Sequence, residues 1–385
     1  MRRVFRAIGA LLLVAAIASS GGVLGAPKTV INLVTAGDQN MVDLFQDEIG
    51  PAFMRANPGI EVRVVGTGPG DAGSQKIVEK LRAQKNAGRA AWDMDVAIIH
   101  EIGAAWALSD DLLAKYAPSA NTYKYVTSNS AKRALGTDVE GYVIPMFQSQ
   151  TALAYNPKYV PTPPKSFEEI VEWARQNPRK FGYNGLKNGA SGVSFVMSWV
   201  YWKTGMYDTY AVTGPYDMKH EAPWGAALAE LRVFDRNAVI TAGNAGTLDM
   251  LSRGEIWIGP VWVDMFYSWV ADGRMDPAIE LVLPSPGMCG QPMYYVIPKR
   301  AASYDAALKF IEFATSPPVQ AKYIVEKFNW YPGIDANAVR AHLSPETWGR
   351  LFRGITADDL AKYARAFPMK NYYTDFMEAY EKAMK

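Results

Sequence analysis

The residues that could do chemistry in this 385-residue chain are few and scattered. Three histidines, His100, His220 and His342, lie far apart, and Cys289 is the only cysteine. No two histidines stand at the H-E-x-x-H spacing that puts two metal ligands on one helix face. A single cysteine excludes an internal disulfide and every multi-cysteine metal site, so no metal and no cofactor are expected. The nearest approach to a serine-nucleophile elbow is Gly189-Ala190-Ser191-Gly192-Val193, which lacks a glycine two residues after the serine. Gly68-Pro69-Gly70-Asp71-Ala72-Gly73 matches G-x-G-x-x-G between a strand and a helix, the setting of a dinucleotide fingerprint. The preceding strand is the second of its unit, however, Pro69 stiffens the loop, and Glu101 comes later than the expected ribose-binding acid. What remains is weaker: glycines that let a ligand approach the backbone, and amides at Gly73, Ser74 and Gln75 at a helix start that suits anionic or hydroxyl groups. A flexible loop before a helix is the bland alternative. An exported glycosidase would need two carboxylates flanking one bond at roughly 5 to 9 Å. Asp93 and Asp95 are the pair that keeps this enzyme alternative open.

Positioning such groups takes elements, and the pattern supplies them from the start. Val30 to Thr35, Ile60 to Gly66 and Asp95 to Ile99 read as buried strands. Asn40 to Asn57, with Val42, Phe45, Ile49 and Phe53 at helical spacing, and Ser74 to Asn86 read as the helices between them. This βαβαβ order predicts an α/β fold with open, mostly parallel sheets and helices on both faces. Further helices are predicted over Phe167 to Gln176, with Ser166 as N-cap and Glu169 completing a capping box, over Trp224 to Asn237 and over Tyr304 to Ala314.

Three arginines within Met1 to Arg6 precede an apolar run, Ala7 to Ala18, and a small-residue stretch, Ser19 to Ala26. That is the layout of a secretory leader, and the run is too short for the roughly 20 residues of a membrane span. A leader over 1–26 without a cysteine offers no atom for a lipid anchor, so a soluble periplasmic protein is expected. The remaining stretch of about 360 residues suggests two domains. Hydrophobic residues at 49%, charged residues at 20% and a net charge of +2 mark neither disorder, nor a nucleic-acid binder, nor a polybasic membrane anchor.

Several segments, in order, carry a family resemblance: Ile31 to Asp38, Phe53 to Ile60, Asp93 to Ile99, Ile144 to Phe147 with Ala152 to Asn156, Pro164 to Glu169, Leu251 to Trp262, Tyr294 to Lys299 and Ala306 to Pro317. Together they resemble the extracellular solute-binding proteins of ABC importers, the group with maltose-, glycerol-3-phosphate- and polyamine-binding members. The resemblance implies two α/β lobes joined by crossing strands, with a ligand cleft between them that closes about a hinge. It places 27–149 and 284–311 in lobe one and 150–283 and 312–385 in lobe two. Crossings are expected near Gln148 to Thr151 and Leu281 to Leu283, with a helical return near Glu312. The partners it implies are a small-molecule ligand and importer membrane subunits, for a chain expected to be monomeric.

Strand ends and family matches select the candidate ligand contacts. Asp38 matches a position where sugar-binding members place a carboxylate, although it could instead cap the helix after it, and Gln39 adjoins it. Ser74 sits at the glycine loop, His100 with Glu101 ends the third strand, and Gln148 and Gln150 lie at the first crossing. Trp262 matches an aromatic platform of the maltose-binding members, with Asp264 two residues on. Ser191 and Ser194 could meet hydroxyl or phosphate oxygens. Tyr294, next to Tyr295, and Tyr331, next to Trp330, complete the set, with core packing as the competing role for each aromatic. A carbohydrate, polyol or sugar phosphate is the first ligand expectation, a polyamine or other cation the second and iron, through paired tyrosines, the third.

Overall fold

The computed structural model describes residues 28–37, 39–68, 70–186 and 189–385. The leader expected over 1–26 and Asp38 therefore lie outside the described residues. The β-branched runs form strands and the amphipathic patterns form helices because each buries its apolar side chains against the other. Strands β1 (Thr29–Thr35), β2 (Ile60–Gly66) and β3 (Val96–His100) are parallel, with β1 in the middle. The helix expected over Asn40 to Asn57 changes type midway, Leu44–Ile49 being π-helical between α-helical Gln39–Asp43 and Gly50–Ala56. Pro51 has no N–H to give to the ladder, and the Gly50 N–H reaches back five residues to the Phe45 carbonyl. The helix expected from Ser74 begins a turn earlier, as Gly70–Asn86. The amides of Ser74 and Gln75 thus lie inside the helix, not at its open end. Phe167–Gln176 and Tyr304–Ala314 form as read. Ser166 Oγ accepts the Glu169 N–H (3.2 Å), while the Glu169 carboxylate takes the Lys165 N–H (2.7 Å), one residue off the expected box.

Apart from a small hairpin of Arg133–Ala134 with Thr137–Asp138, the remaining strands are β4 (Ile144–Tyr155), β5 (Phe181–Tyr183), β6 (Ala238–Ile240), β7 (Ile258–Trp262), β8 (Glu280–Val282), β9 (Met288–Val296), β10 (Tyr331–Pro332) and β11 (Ala364–Arg365). They join β1 to β3 in one curled sheet, ordered β2-β1-β3-β9-β4-β7-β5-β6, with β8 and β10 also on β4 and β11 on β9. Two cores flank it. The first gathers Ile31, Leu33, Phe45, Phe53, Val96 to Ile99, Phe147, Tyr295 and Phe310, with Phe53 edge-on to Phe310 at 5.2 Å. The second gathers Leu153, Phe167, Phe181, Phe195, Trp199, Phe234 and Leu251. In it Phe181 packs on Phe195 at 5.1 Å and Trp199 on Phe234 at 5.3 Å.

Two long strands connect the cores because each changes partner along its length. β4 pairs with β9 as far as Gln150 and with β7 from Thr151 onward. β9 pairs with β11 at Met288 and Cys289 and with β3 from Met293 to Val296. The stretch expected to make the second crossing, Leu281 to Leu283, contributes instead to β8, which lies against Leu153 to Tyr155 in the second half. Gly290 and Pro292, residues that disfavour strand interiors, hide the crossing in β9 from a propensity reading. Met288 and Cys289 belong to the second core, and Ala314, Val319, Tyr323 and Ile324 to the first.

Candidate functional site

A cavity of about 340 Å³ opens between the two cores. Its floor is the ribbon of crossing strands, where Gln150 stands opposite Gly290, Pro292 opposite Gln148, and Tyr331 opposite Gln148 on the other side. Gln148, Gly290 and Tyr331 line the cavity from this floor. Glu101 and Thr127 to Ser130 line it from the first half, and Tyr207, Asp335, Asp358 and Arg365 from the second. Side chains alternate along a strand, so Gln148 and Gln150 share one face and Ser149 takes the other.

Gln150 is fully buried just behind the lining. Its Nε2 donates to the carbonyls of Met288 (2.8 Å) and Thr151 (2.9 Å), which fixes the amide orientation, and its Oε1 has no hydrogen-bond partner. A Cβ at Gly290 would stand 2.5 Å from that Oε1 and 2.7 Å from Gln148 Nε2. Glycine at this position therefore leaves the floor open where two amide side chains meet.

Glu101 opens the helix Glu101–Ser109 directly after β3 and is only 2% exposed. Burial pushes its carboxyl up to about 8, opposed by the Tyr294 hydroxyl and helped by the negative charge of Asp71. That hydroxyl donates to the Ser130 carbonyl (2.6 Å) and lies 3.5 Å from Glu101 Oε1. Near neutral pH Glu101 is thus a neutral acid that can both donate and accept. Arg365, on the short strand β11, gives Nη1 to the carbonyls of Lys362 (2.8 Å) and Ala364 (3.4 Å), and its guanidinium sits 4.9 Å over the Tyr207 ring.

The structure brings Gln148, Gln150 and Tyr331 of the sequence candidates to this site and Tyr294 to its edge, where Tyr294 orders Ser130. The others are engaged elsewhere. Gln39 is exposed and donates to Asp43 (2.8 Å). Ser74 Oγ accepts the His100 N–H (3.0 Å) and lies 3.1 Å from its Nδ1, so this pair ties β3 to the helix Gly70–Asn86. Ser191 Oγ is buried within 2.9 Å of Asn184 Oδ1 and 2.8 Å of Asn244 Oδ1. Ser194 Oγ accepts the Cys289 N–H (3.0 Å) and contacts Thr151, fastening β9 to the helix Ala190–Thr204. Trp262, 8% exposed, packs in the second core, away from the lining. Asp264 accepts the Ser149 hydroxyl (2.7 Å) on the face of β4 turned from Gln148. Burial raises its carboxyl, opposed by Ser149 and the Trp330 indole. Trp330 itself stacks on Phe147 at 4.2 Å. Cys289 is buried, and burial pushes its thiol up to about 12, the range of an inert side chain.

The residues missed from sequence are Ser128 to Ser130, Tyr207, Asp335, Asp358 and Arg365. All lie in loops or very short elements with no periodic pattern to mark which way they point. Among the described residues no group of three or more histidine, cysteine or carboxylate side chains could hold a metal. Nor is any helix among them long and apolar enough to cross a membrane.

Comparison with known proteins agrees with this architecture. The profile of the bacterial extracellular solute-binding protein family matches residues 48–347, and no protein of curated function matches the sequence. Among solved structures, an ABC transporter protein from Clostridium perfringens superposes with a TM-score of 0.66 at 18% identity, over 92% of this chain and 99% of that one. The spermidine/putrescine ABC transporter substrate-binding protein of Streptococcus pneumoniae gives 0.65 at 15% identity, over 92% and 100%. An ABC transporter solute-binding protein from Thermotoga lettingae bound with α-D-tagatose gives 0.65 at 15% identity, over 93% and 94%. A profile match over most of the chain, on a fold whose two cores enclose a cavity across shared strands, shows that the chain belongs to the bacterial extracellular solute-binding protein family.

Proposed function

We propose that this chain captures a small, hydroxyl-rich solute, a carbohydrate, polyol or sugar phosphate, in the cavity between its two cores. It would act in the periplasm as a monomer, after removal of its leader, and hand the solute to the membrane subunits of an ABC importer. One observation carries the reading: a cavity at the lower end of the size range of small-molecule sites is lined from both cores and floored by the strands that join them. A solute there touches both halves at once, so its binding free energy can favour their closed arrangement. The lining sets hydroxyl, amide and carboxyl groups, among them Thr127, Asn129 and Gln148, beside an apolar stretch with Ile334 and Leu360, a mixture that suits the hydroxyls and the apolar ring face of a sugar or polyol. Gln148 and Tyr331 are the proposed contacts at the floor, with Gln150 Oε1 behind them as an acceptor in need of a donor.

The carboxyls of Glu101, Asp335 and Asp358 favour a second reading, capture of a polyamine or another cation. Two features weigh against it: Glu101 is held neutral up to about pH 8, and Arg365 adds a fixed positive charge to the same lining. A thermal-shift screen of the mature protein against sugars, polyols, their phosphates and polyamines tests both. A ligand at 100 times its dissociation constant adds about 2.7 kcal/mol, several degrees for a chain of this size. A hit among hydroxylated solutes supports the first reading, and a hit confined to polyamines replaces it with the second. Recovery of a chemically altered solute would point to the enzyme alternative, since a binding protein returns its ligand unchanged.

A further inference from the structure

We propose that the solute carries an acidic group, a carboxylate or a phosphate, and that the Arg365 guanidinium holds it; this rests on the reading of the interlobe cavity as the solute site. Arg365 is a half-buried cation in the lining, and no carboxylate among the described residues forms an ion pair with it. Of its five N–H donors, those on Nη1 alone have acceptors among the described residues, the carbonyls of Lys362 and Ala364. Nε and Nη2 are left for a planar, two-oxygen acceptor, the shape of a carboxylate or one face of a phosphate.

The side chain is held ready for such a partner. β11 is fixed to β9, with Arg365 paired to Cys289. The Tyr207 ring lies under the guanidinium, and the Tyr207 hydroxyl accepts the next amide, that of Ala366 (3.1 Å). Gly287, at φ 125°, leaves room for the arginine stem, because a Cβ there would meet Arg365 Cγ at 2.9 Å and the Tyr363 carbonyl at 2.1 Å. The acids of the same lining form no ion pair with Arg365 and leave its fork open. Glu101 is protonated at neutral pH, Asp335 caps a helix through the Asn337 N–H (2.9 Å), and Asp358 is exposed. They suit the hydroxyls of a hydroxy acid or a sugar phosphate.

The test is calorimetric titration of the mature chain with matched probes: glucose, gluconate and glucose 6-phosphate, then glycerol, glycerate and glycerol 3-phosphate. The expected result is an acidic probe at least tenfold tighter than its neutral parent, weakening as salt rises from 50 to 500 mM. The carboxylate and phosphate arms separate the two sources of negative charge. Arg365→Gln should cut the acidic-to-neutral affinity ratio at least tenfold, and Arg365→Lys, which keeps charge but loses the fork, should cut it less. Circular dichroism checks that the variants fold, and the salt dependence of the wild type stands without them. Neutral parents binding as tightly as their acids, or a ratio unchanged in Arg365→Gln, overturns the proposal and leaves the solute reading intact. Silence from every probe overturns both.

Discussion

Replacing Glu101 by glutamine removes a buried acid while keeping its shape, and the consequence for stability can be worked from its surroundings. The unfolded chain releases this proton near the ordinary 4.5 and the folded chain near 8. Between those values the folded state holds the proton more tightly, so stability falls as pH rises and the loss is complete only above about 8. At about 1.4 kcal/mol per pH unit, the wild type loses roughly 5 kcal/mol over this window through Glu101 alone. Its near-complete burial means that solvent screening does little to reduce the effect. Glu101→Gln has no proton to lose, so its stability should match the wild type within about 1 kcal/mol at pH 4.5 and exceed it by a few kcal/mol at pH 8. Urea unfolding at both pH values, followed by fluorescence, reads the difference directly. Other raised acids, such as Asp235 at about 6, titrate in both proteins and cancel in the comparison. Parallel pH profiles for the two proteins, or a variant less stable at pH 8, would refute the reasoning.

Gly290→Ala should weaken both fold and binding, because the new Cβ would stand 2.7 Å from the Ser149 carbonyl, which cannot swing aside. A loss of about 1 to 3 kcal/mol in thermal unfolding and at least tenfold in affinity for any hit of the solute screen is expected. Ser194→Ala strands the buried Cys289 N–H and should cost about 1 to 3 kcal/mol. Titration of the same hit should show its affinity kept within about twofold, the result that separates a packing serine from a ligand contact. Trp262→Ala should cost about 3 to 5 kcal/mol of stability, as befits a side chain in the second core, again read by urea unfolding.

The fold was legible in the sequence where burial and periodicity agree. Ile60 to Gly66, Phe167 to Gln176 and Tyr304 to Ala314 form where the apolar spacing puts them, and Gln148 to Thr151 is where β4 exchanges one core for the other. The crossing in β9 was hidden because Gly290, which keeps the cavity floor open, and Pro292 both run against strand propensity. At the candidate site, Gln148 and Gln150 were legible because they lie in the expected first crossing, midway along β4. Trp262 ends β7 and Ser191 and Ser194 open the helix Ala190–Thr204, but their side chains are buried in the second half, a matter of face that position alone does not decide. Arg365 lies in a two-residue strand whose place depends on pairing with Cys289, 76 positions earlier, and no local pattern announces such a contact.

The most direct test of the central claim, that one solute is held by both cores at once, is hydrogen–deuterium exchange of the mature protein with and without a solute found by the screen. Slowed exchange should appear together at Thr127 to Ser130 in the first half, at Gln148 and Gly290 in the floor, and at 333–337 and 364–366 in the second half. Protection confined to one half, or lying away from the crossing strands, would contradict it.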